Sequence, residues 1–118
     1  MLLILLLIKH FLLDFPFQTP YMLRKSQPTG WFFPLFLHAA AHGAATFILL
    51  LFFAPTLAIP LALAEGVVHF GIDYWKAQKA KAEFASAKFW TYLGLDQLFH
   101  NLTYVAIIFI VSLYMTGL

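Results

Sequence analysis

Apolar positions in this chain come in long unbroken runs, not in the alternation of a half-buried strand or the narrow stripe of a soluble amphipathic helix. Four runs approach the length of about 20 residues that a membrane-spanning helix needs. They cover 2–23, 31–53, 57–75 and 89–114. Arg24, Lys25, Pro28 and Gly30 part the first from the second; Ala54, Pro55 and Thr56 part the second from the third; 76–88 part the third from the fourth. The pattern predicts an all-α, polytopic membrane protein, a single domain over 1–118 built as a four-transmembrane-helix bundle. Pro16 and Pro20 lie inside the first run and predict a kink in its helix, or its end, after Asp14. The connection 77–88, rich in Ala and Lys, reads either as a short helix lying on the lipid surface or as a solvated loop.

Composition strengthens this picture. The 118 residues are 63% hydrophobic and 10% charged, with a mean hydropathy of +0.86, which excludes an ordinary soluble domain. No Asp, Glu, Lys or Arg occurs between Lys25 and Glu65, a gap long enough for two crossings. The apolar start, Met1 to Ile8, has no basic leader or small-residue cleavage site and is expected to be a retained helix. The small net charge of +2 and the lack of a nucleic-acid motif remove nucleic acid from the expected partners. So short a chain is also a candidate for homodimerisation, but nothing marks a face for it.

Charge then orients the helices. Arg24 and Lys25 fall in the first connection and Lys76, Lys79, Lys81 and Lys88 in the third, while the second carries no charge. The positive-inside rule places loops 24–30 and 76–88 in the cytoplasm and both termini outside. Tyr21, Trp31, Trp75 and Trp90 then fall at the cytoplasmic ends of their segments, as an interfacial aromatic belt does.

Within these apolar runs lies a repeated polar pattern. Each segment carries a pair of potential ligands four residues apart: His10 and Asp14, His38 and His42, His69 and Asp73, Asp96 and His100. Glu65 extends the third pair by one more turn. Four-residue spacing puts each set on one helix face, and ionisable groups at membrane depth are costly enough to mark a site. With no cysteine in the chain, thiolate sites are impossible and any transition metal must be held by nitrogen and oxygen. Mixed imidazole and carboxylate suit zinc first, then iron or manganese, and the ligands form two layers consistent with one or two divalent ions. The expected metal set is His10, Asp14, His38, His42, Glu65, His69, Asp73, Asp96 and His100, with His38, His42, His69, Asp73, Asp96 and His100 leading. Glu65 or Asp14 is the expected proton acceptor or bridging ligand. Gln18 and Gln97 extend the polar face towards a carboxylate, and Lys76 is placed to attract an anionic head group. Lys9 is equally readable as snorkelling outward or as pairing with a core carboxylate.

The arrangement Lys9-His10-Phe-Leu-Leu-Asp14-Phe-Pro-Phe-Gln18, His38-x-x-x-His42, His69-x-x-Ile72-Asp73-x-x-Lys76 and Asp96-Gln97-x-x-His100 resembles a family of small bacterial inner-membrane proteins known as domain of unknown function 3307. The resemblance covers nearly the whole chain and implies a four-helix domain with a His/Asp core in the inner membrane, without implying an activity. By residue types alone the pattern is also similar to predicted membrane-bound metal-dependent hydrolases. Together these readings lead to a hydrolase acting on a lipid or lipid-linked substrate from the cytoplasmic leaflet. Proton or metal-ion transport, di-iron or haem redox chemistry, and a structural or partner-binding role are the alternatives.

Overall fold

The computed structural model describes residues 1–117, and among them there is no strand. Helix α1 runs over Leu2–Asp14, α2 over Pro20–Leu23, α3 over Phe32–Phe53, α4 over Ala58–Tyr74 and α5 over Ala87–Thr116. Three helical stretches, Phe32–Phe53, Pro55–Lys79 and Ala87–Thr116, are long and apolar enough to cross a membrane. The first segment is divided, not one helix over 2–23. A residue before proline is disfavoured in the helical region, and Phe15, preceding Pro16, is the C-cap of α1, its φ of −118° far from the usual helical value. The chain restarts at α2, where Pro20 takes the first helical position and the Thr19 hydroxyl accepts from the Met22 amide at 3.2 Å.

The connection after α4 follows the loop reading of 77–88 over 80–86 and not the surface-helix one, and its first residues extend α4. α4 continues through a π-helical turn over Trp75–Lys79, and the chain is then non-helical until Ser86 caps α5 by accepting from the Phe89 amide at 3.1 Å. Helices α3 and α4 make the closest approach. A Cβ on Gly43 would stand 3.1 Å from the Ala62 carbonyl and 3.6 Å from Gly66 Cα, so only glycine allows this approach as it stands.

The bundle is polar inside and apolar outside over its middle. Ile4, Phe11, Phe52, Leu63, Val67 and Phe109 point outward, whereas Lys9, five histidines, Thr46, Glu65, Asp73 and Asp96 are buried. At one end, where α1 and α4 begin and α3 and α5 finish, Leu2, Leu6, Leu50, Ala58, Leu61, Ile107 and Val111 form an apolar plug. At the other end the two basic connections pack together. Gln78 donates there to the carbonyls of Lys25 and Gln27 at 2.7 and 2.9 Å.

Candidate metal centre

The polar faces of α1, α3, α4 and α5 meet between these two ends, and all five histidines turn Nε2 towards three aspartates. Asp14 has His10 Nε2 at 3.1 Å, His38 Nε2 at 3.1 Å and His42 Nε2 at 3.0 Å. Asp73 has His100 Nε2 at 3.1 Å, His38 Nε2 at 3.3 Å and His69 Nε2 at 3.7 Å. Asp96 lies 3.5 Å from His100 Nε2. The rings of His42 and His69 stack with centroids 3.7 Å apart. Helical spacing explains the convergence: each pair projects from one face, and the antiparallel neighbours bring the four faces together.

Three groups have ligand atoms all within 4.8 Å of one another: Asp14, His38, His42 and His69; His10, His69 and His100; and Asp73, Asp96 and His100. These clusters could hold a metal ion. Inside them His38 Nδ1, His42 Nε2, both nitrogens of His69 and Asp96 Oδ1 are buried without a hydrogen-bond partner. His42 Nε2 is close to Asp14 but not aligned for a hydrogen bond. Buried polar atoms of this kind call for a partner, and coordination provides one that suits imidazole and carboxylate alike.

Glu65 belongs to none of the three groups. Its Oε1 accepts from the Lys9 ammonium at 3.1 Å and from the Tyr104 hydroxyl at 3.3 Å. Lys9 is therefore buried and paired, not snorkelling, and it also donates to Tyr104 at 3.2 Å and to the His42 carbonyl at 3.4 Å. Together Lys9, Glu65 and Tyr104 back the rings on the side of the plug. Tyr104 OH lies 2.9 Å from His10 Nδ1, Lys9 Nζ 3.5 Å from His42 Nδ1, and Glu65 Oε1 3.6 Å from His69 Nδ1.

On the opposite side the aspartates meet lysines. Lys25 donates to Asp73 Oδ2 at 2.6 Å and Lys76 to Asp96 Oδ2 at 3.2 Å. All three buried carboxylates, Glu65, Asp73 and Asp96, thus have an ammonium partner, whereas half-buried Asp14 has none and meets three imidazoles and the Gln97 amide. Gln97 donates to Asp96 Oδ2 at 3.1 Å and lies 3.2 Å from His10 Nε2 through its carbonyl oxygen. Gln18 does not reach a carboxylate: its amide donates to the Asp14 main-chain carbonyl at 2.6 Å, because the break after α1 turns it back on the helix end. A cleft of about 490 Å³ opens onto Asp14, Asp73 and Asp96 from the end carrying the basic connections.

Sequence reasoning placed Lys25 only as a topology signal and did not single out Tyr104 or Thr46. The spacing held a clue to both, since Asp96, His100 and Tyr104, like His38, His42 and Thr46, continue one stripe at four-residue steps. Nothing in the spacing pairs Lys25 with Asp73, because the two are joined by tertiary packing alone.

No curated protein and no solved structure matches the chain. Residues 2–117 match the family model described as Protein of unknown function (DUF3307). The chain belongs to the DUF3307 family.

Proposed function

We propose that the protein is a membrane-embedded metal-binding protein, a metal-dependent hydrolase acting on a lipid or lipid-linked substrate that enters from the inner leaflet. The observation that carries this reading is the convergence of five Nε2 atoms on three carboxylates at the floor of a cleft. Asp14, His38, His42 and His69 are the primary ion site, since no ammonium pairs with its carboxylate. Asp73, Asp96 and His100 form a second site, available to an ion that displaces Lys25 and Lys76. Zinc suits the donor set, as do iron and manganese. A divalent ion supplies Lewis acidity and a more acidic water. The chain's own residues do the rest: Gln97 orients Asp96, His10 Nε2, facing the acceptors Asp14 and Gln97 Oε1, is placed to donate a proton, and Tyr104, Lys9 and Glu65 hold the rings. Glu65 acts in this scheme as a positioning residue, not as a ligand.

In the same reading, α1 and α2 in series form a fourth crossing, which puts both termini outside and both basic connections inside. The alternative of proton or ion transport needs polar groups that continue to both surfaces. Beyond Thr46 the interior is the apolar plug of Leu6, Leu50, Leu61 and Ile107, which favours a site closed at one end. Elemental analysis by mass spectrometry of the detergent-purified protein tests the proposal. One to two equivalents of a transition metal are expected in the parent and fewer in Asp14→Asn and Asp96→Asn. Folded, monodisperse protein that holds no metal and takes up none when supplied would refute it.

A further inference from the structure

The cleft has a second chemical character besides its acidic floor. Its walls carry Lys25, Lys76 and Lys81 on the two basic connections, facing Phe15, Leu23 and Phe89. Lys25 is mostly buried and Lys76 about one-third exposed, and each is turned inward onto an aspartate. Such lysines serve two states. With no ion at Asp73 and Asp96 they neutralise the floor. Once a divalent cation takes over the two carboxylates, both ammonium groups lose their partners while still held over the cleft by the connections that bear them.

We infer that Lys25 and Lys76 form an anion subsite that opens when a metal ion binds, and that the substrate group it takes is a phosphate, presented by a lipid head group. The inference rests on the metal-binding reading above and deepens it. Phosphate is the anion that fits ammonium groups beside a divalent cation, because its oxygens can face both at once. The aromatic and aliphatic wall and the position of the cleft at the end of the apolar exterior suit the chain that carries such a head group. A phosphate without a chain has the same polar chemistry, so the test separates the two sources.

Linkage supplies the test. If the ion frees the subsite, a phosphate bound there must tighten the ion by the same factor. Zinc affinity is measured by competition with a chromophoric chelator in detergent, alone and with equal concentrations of inorganic phosphate, dihexanoyl phosphatidic acid or dihexanoyl phosphatidylcholine. Phosphatidic acid is expected to tighten zinc by about tenfold, and phosphatidylcholine, whose phosphate is masked by choline, by much less. The Lys25→Gln/Lys76→Gln variant should still bind zinc, which reports that it is folded, but lose the response. Lys88→Gln, outside the cleft, should keep it. An equal response to inorganic phosphate would retain the subsite and overturn its assignment to a lipid. Zinc binding in the parent with no response to any phosphate, or a response that survives in the double variant, would overturn the subsite and leave the metal reading standing. Absence of zinc binding in the parent would overturn both.

Discussion

Lys9 is a buried charge with a buried partner, and its removal gives a sharp test of the site's architecture. The ammonium is 7% exposed, lies 3.1 Å from a Glu65 carboxylate that is almost fully buried, and has two further acceptors within 3.4 Å. At 3.1 Å the pair attracts by about 5 kcal/mol for an effective dielectric of about 20. Breaking a buried pair by deleting one partner costs about 3–5 kcal/mol, because the remaining charge stays out of water. Lys9→Met keeps an unbranched apolar stem and removes the ammonium with its hydrogen bonds to Glu65, Tyr104 and the His42 carbonyl, so we expect that loss in equilibrium unfolding by sodium dodecyl sulfate in mixed micelles, followed by circular dichroism. Lys9→Met/Glu65→Gln removes both charges and should return to within about 2 kcal/mol of the parent. A loss below about 1 kcal/mol for the single variant is what a solvated pair gives. That result, or a double variant no more stable than the single one, would refute a buried, mutually dependent pair.

Four further outcomes are expected. Glu65→Gln should keep the metal stoichiometry by elemental analysis while weakening affinity about 10–100-fold, as expected for a residue that orients ligands, whereas Asp14→Asn should lose a full equivalent. Gly43→Ala should destabilise the bundle by about 1–3 kcal/mol in the same unfolding assay, since its Cβ meets the Ala62 carbonyl. Gly71→Ala, which meets nothing within 4 Å, should instead gain about 0.5–1 kcal/mol. Ser86→Ala should cost about 1 kcal/mol and speed hydrogen exchange at the Phe89 amide, whose only cap it removes.

The helices were legible because apolar runs and proline positions act locally: Pro16 ends α1 whatever the rest of the chain does. The pairs were legible for the same reason, since a four-residue step places His38 over His42 in any α-helix. What joins one helix to another was not. Lys9 and Lys25 have long, flexible side chains whose reach depends on how far neighbouring helices stand apart, and that distance is set by contacts such as Gly43 against Gly66. Glu65 shares the stripe of His69 and Asp73, yet its carboxylate, 3.6 Å from His69 Nδ1, also pairs with Lys9 from α1, which spacing alone does not show. The π-helical turn at Trp75–Lys79 carries no local signature in the sequence, and it sets which lysines of that connection face the cleft.

The apolar plug has an electrical consequence. In a membrane, the transmembrane potential falls mainly where no water or mobile charge penetrates. Here that is the stretch around Leu6, Leu50 and Ile107, and not the cleft. One elementary charge carried across the whole field exchanges about 2.3 kcal/mol per 100 mV. A cation or anion entering from the open end crosses little of that field, so its binding should be the same in energised and de-energised vesicles. In the proposed orientation the site is wired to one side of the membrane only.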